Sequence, residues 1–221
     1  SKPESDRVTP ATRVDHPDDQ RGVSSAPGST KARIERAALN LFVERGVEAA
    51  TTREIAARAG LSEGALYRYF AGKEEIAETL FTAIHTRLAE LVRGAGARTG
   101  GVHAQIEAVV EAYCSTADDD WALFSYHLLT LSRFLPTPPD LDDPVSATED
   151  IIAAARARGE LDARHRDTDV KILAAMALGV VQQTALHRVY GRITTPMSDL
   201  IPIFKTAVAS MLLSGDNPKG Q

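Results

Sequence analysis

The chain has 221 residues, 43% apolar and 25% charged, the balance of an ordinary soluble globular protein, so wholesale disorder is excluded. Thirty acidic against 25 basic residues give a formal net charge of −5, so any nucleic-acid contact has to come from a local surface. The single cysteine, Cys114, excludes an intrachain disulfide and a cysteine-built metal site. No signal-peptide pattern and no run of about 18 apolar residues is apparent, so a soluble protein in a reducing cytoplasm is expected.

Residues 1–29 are crowded with Pro, Asp, Ser and Gly and almost lack large apolar side chains, which predicts a disordered tail. Arg13 and Arg21 could make it a phosphate-touching arm, or it could be a solvated extension. From Thr30 onward the pattern is helical. Ile34, Ala37, Ala38, Leu41 and Phe42 recur at three- and four-residue steps until Gly46. Thr51 and Glu54 form a capping box that opens a short helix stopped by Gly60. Ser62 caps another short helix with Ala65, Leu66, Tyr69 and Phe70. After Gly72, Lys73 opens a long helix through Leu91, with Gly94, Gly96, Gly100 and Gly101 marking a break. Further helices are expected from Val102 to about Ala117, Asp120 to Phe134, Pro144 to Arg158, Asp167 to about Tyr190, and Asp199 to about Leu213. Asp143 and Pro144 make a good helix start, and Pro202 falls in a first turn. Asp118, Asp119 and Asp120 suggest a cap and a solvated loop. No strand pattern stands out, so the fold class is all-α.

Thr52 to Phe70 has the spacing of a helix-turn-helix. Ile55 and small Ala56 face inward, Gly60 allows the turn, and Leu61 and Leu66 hold the second helix against the first. Ser62, Gly64 and Ala65 are small, which lets the backbone approach base edges in a major groove, and Ala65 could touch a thymine methyl. Thr52, Arg53, Tyr67, Arg68, Tyr69 and Lys73 offer donors for phosphates. A plain helical hairpin with packed tyrosines is the competing reading.

At these residues the sequence resembles the TetR family of bacterial transcriptional repressors. The match runs from Arg33 to about Leu80 through Ile34, Ala37, Leu41, Phe42, Gly46, Thr51, Thr52, Ile55, Ala56, Gly60, Leu61, Ser62, Gly64, Leu66, Tyr67, Phe70 and Lys73. It departs at Tyr69, where many members carry His. The resemblance implies about nine helices, three in a DNA-binding module and the rest in a ligand-binding and dimerisation domain. The boundaries expected are 1–29 for the tail, 30–75 for the DNA-binding domain and 76–215 for the remainder.

The Asp167–Tyr190 helix is apolar all round, so it sits in a large core or packs on both its own core and a partner. The last helix adds Ile201, Ile203, Phe204, Val208, Met211 and Leu212. In look-alike repressors the last two helices form a four-helix bundle between subunits, so a homodimer on a palindromic operator is expected. Charges at Val181 or Val208 should then disrupt it. Candidate residues for a mostly apolar effector site are His85, Leu88, Tyr113, Trp121, Phe124, His127, Met176 and Gln183, although each could be simple core. No cofactor, metal site or paired catalytic spacing is evident among the six histidines. An effector-independent DNA-binding protein and a helical enzyme are the alternatives to a ligand-responsive repressor.

Overall fold

Short polar side chains start most of the helices. Ser29, Thr51, Ser62, Asp120, Asp143 and Asp169 each accept a hydrogen bond from a backbone N–H in the following first turn, a group the helix cannot satisfy itself. The computed structural model describes residues 21–98 and 100–214. Among them lie nine α-helices and no strand: α1 (Thr30–Arg45), α2 (Thr52–Arg58), α3 (Glu63–Leu66), α4 (Lys73–Gly96), α5 (Gly101–Asp119), α6 (Trp121–Phe134), α7 (Pro144–Ala157), α8 (Val170–Val189) and α9 (Ile201–Leu212). Short 3-10 turns at Ala163–His165 and Ser198–Leu200 precede α8 and α9.

The first three helices form a small module around Ile34, Leu39, Ile55 and Leu66, all completely buried. Its turn is closed by Gly60 at φ +72°, a conformation that a side chain would strain. Helix α4 leaves this module and becomes the axis of the body, packing on α5, α6 and α7. Its inner face is Ile76, Leu80, Ile84, Leu88 and Val92, one per turn. Helices α8 and α9 close the far side against α5, α6 and α7.

Several expectations need correction. Helix α8 starts from Asp169 rather than Asp167, because the 3-10 turn and the Thr168 N–H bonded to the His165 carbonyl occupy the preceding residues. Asp199 lies within a 3-10 turn and does not cap α9, although Pro202 does fall in the first turn. Gly94 and Gly96 continue α4 instead of breaking it. Ile151 reaches the place where a Gly96 Cβ would stand, at 2.6 Å, so α7 approaches the α4 backbone closely there.

Residues 21–29, given to the tail by composition, are tied to α1. The Glu35 carboxylate accepts from the backbone N–H groups of Val23, Ser24 and Ser25 and from both serine hydroxyls. Burial alone would raise its pKa, but these donors hold it below the ordinary carboxylate value. Arg13 and the rest of residues 1–20 lie outside the described residues.

The acidic run is not a solvated loop. Asp120 caps α6 through the Leu123 N–H (3.1 Å) and also takes both terminal nitrogens of Arg36 from α1, at 3.0 and 2.7 Å. Asp118 accepts from Arg188 at 2.6 Å and from the Met197 and Ser198 N–H groups, tying α5 to the end of α8 and the turn before α9. Helix α8 is long and apolar enough by length and composition alone to cross a bilayer, a test that a core helix of a soluble protein also passes. Val181 and Val208 are buried within the protomer, whereas Ile172, Met176, Tyr190 and Ile203 are exposed.

Candidate functional site

The two-helix surface at the N-terminal end is built from the capping box upward. Thr51 accepts from the Glu54 N–H, and Glu54 accepts in return from the Thr51 N–H at 3.0 Å. This lowers the Glu54 pKa, with the Thr51 hydroxyl as its strongest partner. Gly60 then turns the chain so that Leu66 is fully buried, while Ser62, Gly64, Tyr67, Arg68 and Tyr69 are exposed and Ala65 is partly so. A Cβ at Gly64 would meet nothing within 4 Å, and its φ is not in the left-handed region, so neither packing nor backbone geometry requires glycine there.

The cations around this surface divide into two groups. Arg45 pairs with Glu54, Arg58 pairs with Glu44, and Arg33 donates to the Ala59 carbonyl. Arg53 and Arg68 are exposed and have no hydrogen bond or ion pair with the described residues. They are therefore the guanidinium groups available to a polyanion without breaking an internal contact. Thr52 donates to Glu63 at 2.5 Å and lies 3.3 Å from the Tyr67 hydroxyl, which ties the start of α2 to the start of α3. Lys73 differs from its expected outward direction. Its ammonium donates to the Glu48 and Ala50 carbonyls, at 2.8 and 3.0 Å, and so clamps the loop between α1 and α2.

A second concave feature lies in the body, between α4, α5, α7, α8 and α9, with α6 contributing His127. It spans about 790 Å³ including its open mouth. Leu88, Val92, Val110, Ile152, Val181 and Val208 make its walls apolar. Tyr113, His127, Gln105, Thr148 and Gln182 supply the polar atoms.

Of the residues expected here, Leu88, Tyr113 and His127 line the cleft. His85 stands one layer behind, its Nδ1 2.9 Å from His127 Nε2. Phe124 is fully buried and packs edge-on against Tyr113. Trp121 is turned the other way, a platform for Arg188 whose guanidinium carbon lies 4.0 Å from the ring centre. Met176 and Gln183 are exposed on the outer stripe of α8 with Ile172, while their neighbours Ala177 and Gln182 face the cleft. Periodicity alone could not set that phase, because α8 is apolar all round. The α7 contribution, Pro144, Thr148, Ile151 and Ile152, was not anticipated; the apolar run of Ile151 and Ile152 followed by three alanines was its only sequence cue.

The cleft's ionisable groups are held uncharged. Burial pushes the His127 pKa down to about 3, with His85 adding to the effect. Burial also lowers His85, against the opposing pull of Asp143 and Asp142. The Tyr113 hydroxyl is pushed well above its ordinary value by burial, and Cys114 beside it up to about 12 for the same reason, so that thiol is a small core residue rather than a nucleophile.

Known proteins share both halves of this architecture. Residues 34–80 match the family model for bacterial regulatory proteins of the tetR family. The uncharacterized HTH-type transcriptional regulator YdgC of Bacillus subtilis is 25% identical over 199 residues, covering 86% of this chain and 94% of that protein. The HTH-type transcriptional repressor KstR2 of Mycobacterium tuberculosis is 40% identical over 58 residues, only 26% of this chain and 29% of that one. Among solved structures, the fatty acid degradation regulator FadR of Bacillus halodurans superposes with a TM-score of 0.71 at 18% identity, covering 88% of this chain and all of that one. The ketosteroid transcriptional regulator KstR2 of Mycobacterium tuberculosis gives the same TM-score at 20% identity. Residues 34–80 thus carry the helix-turn-helix of the tetR family of bacterial regulatory proteins, and the all-helical body shares the fold of solved transcriptional regulators.

Proposed function

We propose that the protein is a ligand-responsive repressor that binds a palindromic operator as a homodimer and leaves it when a small, mostly apolar effector enters the cleft. The observation that carries this reading is that one helix serves both sites. Helix α4 begins against the DNA-binding module and, about four to five turns on, lends Leu88 and Val92 to the cleft wall. An occupant that parts those walls acts on α4 directly. It shifts the equilibrium only to the extent that it binds the released conformation better than the bound one.

The dimer follows from the outer faces of α8 and α9, where Ile172, Met176 and Ile203 are exposed by half or more. A second copy would cover that apolar surface and set the spacing of two recognition helices. The repressor assignment draws on relatives so named, including KstR2. A FadR structure from Bacillus subtilis, similar in fold, is of a complex with stearoyl-CoA, whose acyl chain is apolar although its coenzyme A part is charged; the apolar chain is the part that supports this reading. In this reading Arg53, Arg68, Tyr67 and Tyr69 contact phosphates. Ser62, Gly64 and Ala65 lie against base edges, and Thr52 and Lys73 position the two elements.

The test is selection of bound fragments from genomic DNA by the purified chain, followed by a small-molecule screen for loss of binding. An enriched inverted repeat, released by an apolar compound that also raises the melting temperature, is expected. Recovery of no inverted repeat would overturn the operator reading, and a screen without any releasing compound would leave a DNA-binding dimer without a sensor.

A further inference from the structure

Two residues that line the cleft carry buried polar atoms with no hydrogen-bond partner among the described residues. These atoms are His127 Nδ1 and the Tyr113 hydroxyl, and His127 is 1% and Tyr113 5% exposed. Gln182 is near enough to Tyr113 to favour its ionised form but stands outside hydrogen-bonding geometry. Leaving such groups unsatisfied is costly, so each implies a partner of definite polarity.

That polarity follows from a relay of three side chains. Asp143, at the start of α7, places Oδ1 3.2 Å from His85 Nε2. The contact is not aligned as a hydrogen bond, yet a carboxylate beside this nitrogen favours a proton there over a lone pair. Neutral His85 then keeps its lone pair on Nδ1. His127 Nε2, 2.9 Å from that Nδ1, must therefore be the donor. A neutral His127 with its proton on Nε2 has only a lone pair on Nδ1. The unpartnered atom is an acceptor.

We propose that the cleft selects a neutral, largely apolar compound carrying a hydroxyl or N–H group that donates to His127 Nδ1. The proposal rests on the cleft being the effector site. The Tyr113 hydroxyl can donate to an oxygen of the same compound. A carboxylate is disfavoured on two counts: its charge meets a lone pair at His127, and no Lys or Arg among the described residues lines the cleft to neutralise it.

Three probes separate the alternatives: n-decanol, its isomer nonyl methyl ether, and decanoate, each titrated calorimetrically into the full chain. Decanol should bind about three- to tenfold tighter than the ether, the worth of one buried hydrogen bond, and decanoate should be the weakest. In His127→Phe the alcohol and the ether should bind within about twofold of each other, since the acceptor is gone. Ether or decanoate equal to the alcohol in the unsubstituted protein would overturn the donor requirement while leaving the cleft as the effector site. Failure of all three to bind would overturn the cleft reading itself. Nitrogen-15 spectra of the imidazoles in the free protein give a readout independent of any ligand and of the variant's folding. His127 should be protonated at Nε2 and bare at Nδ1, and the reverse pattern would overturn the relay.

Discussion

Burying His127 as a neutral ring ties stability to pH. Its pKa falls from the ordinary value near 6.5 to about 3 in the folded chain, so between those values the unfolded state binds a proton the native state refuses. Stability therefore falls as pH drops below about 6.5, by up to about 1.4 kcal/mol per pH unit for this group. The depressed carboxylates Glu35 and Asp118 add losses of the same sign only at lower pH, near and below the ordinary carboxylate range. The window from pH 6.5 to 5 thus isolates the histidines. Urea midpoints across it should decline for the unsubstituted chain and decline less for His127→Phe. Residue chemistry of this kind was partly legible in advance. The mixture of Tyr113, Phe124 and His127 in a chain poor in aromatics pointed to the cleft. The pairing of His127 with His85 did not show, because 42 positions separate them and only the packing of α4 on α6 brings them together.

At the level of elements, caps and stops carried most of the information. Thr51 with Glu54, Ser62, Asp120 and Asp143 each began a helix where their chemistry said one should begin. The sequence misled where two candidate caps lay close together, Asp167 and Asp169, since a 3-10 turn between helices has no strong local pattern. Gly60 and Gly64 look alike in the sequence but have different reasons to be glycine. Gly60→Ala puts a side chain at φ +72° and should cost about 1–2 kcal/mol, read as a lower denaturation midpoint. Gly64→Ala adds a methyl to open space, so the midpoint should hold while operator affinity or base preference changes. Should both variants lose stability equally, the open surface at Gly64 would be misassigned.

Across the whole molecule, α8 has two apolar sides with different tasks. Val181 faces the cleft and the protomer's own core, so Val181→Asp should unfold the chain, a buried unpaired charge costing about 3–5 kcal/mol. Ile172→Asp lies on the exposed stripe and should leave a folded protomer that sediments as a monomer. An unchanged dimer for Ile172→Asp would place the interface elsewhere. The sequence showed that this helix is apolar all round but not which arc turns outward, and Met176 and Gln183 fell on the wrong side for that reason. The joint between Arg36 and Asp120 bears on how freely such molecules can exchange parts. A single carboxylate holds a buried guanidinium of the N-terminal module and starts a helix of the body, so neither half is complete when cut from the other. Recombining this DNA-binding module with a relative's body would strand Arg36 without its anion, and the receiving helix would need an acid at its N-cap. The boundary expected after residue 75 is crossed by a contact between residues 84 positions apart in the chain, and a hybrid regulator would have to inherit both ends of it together.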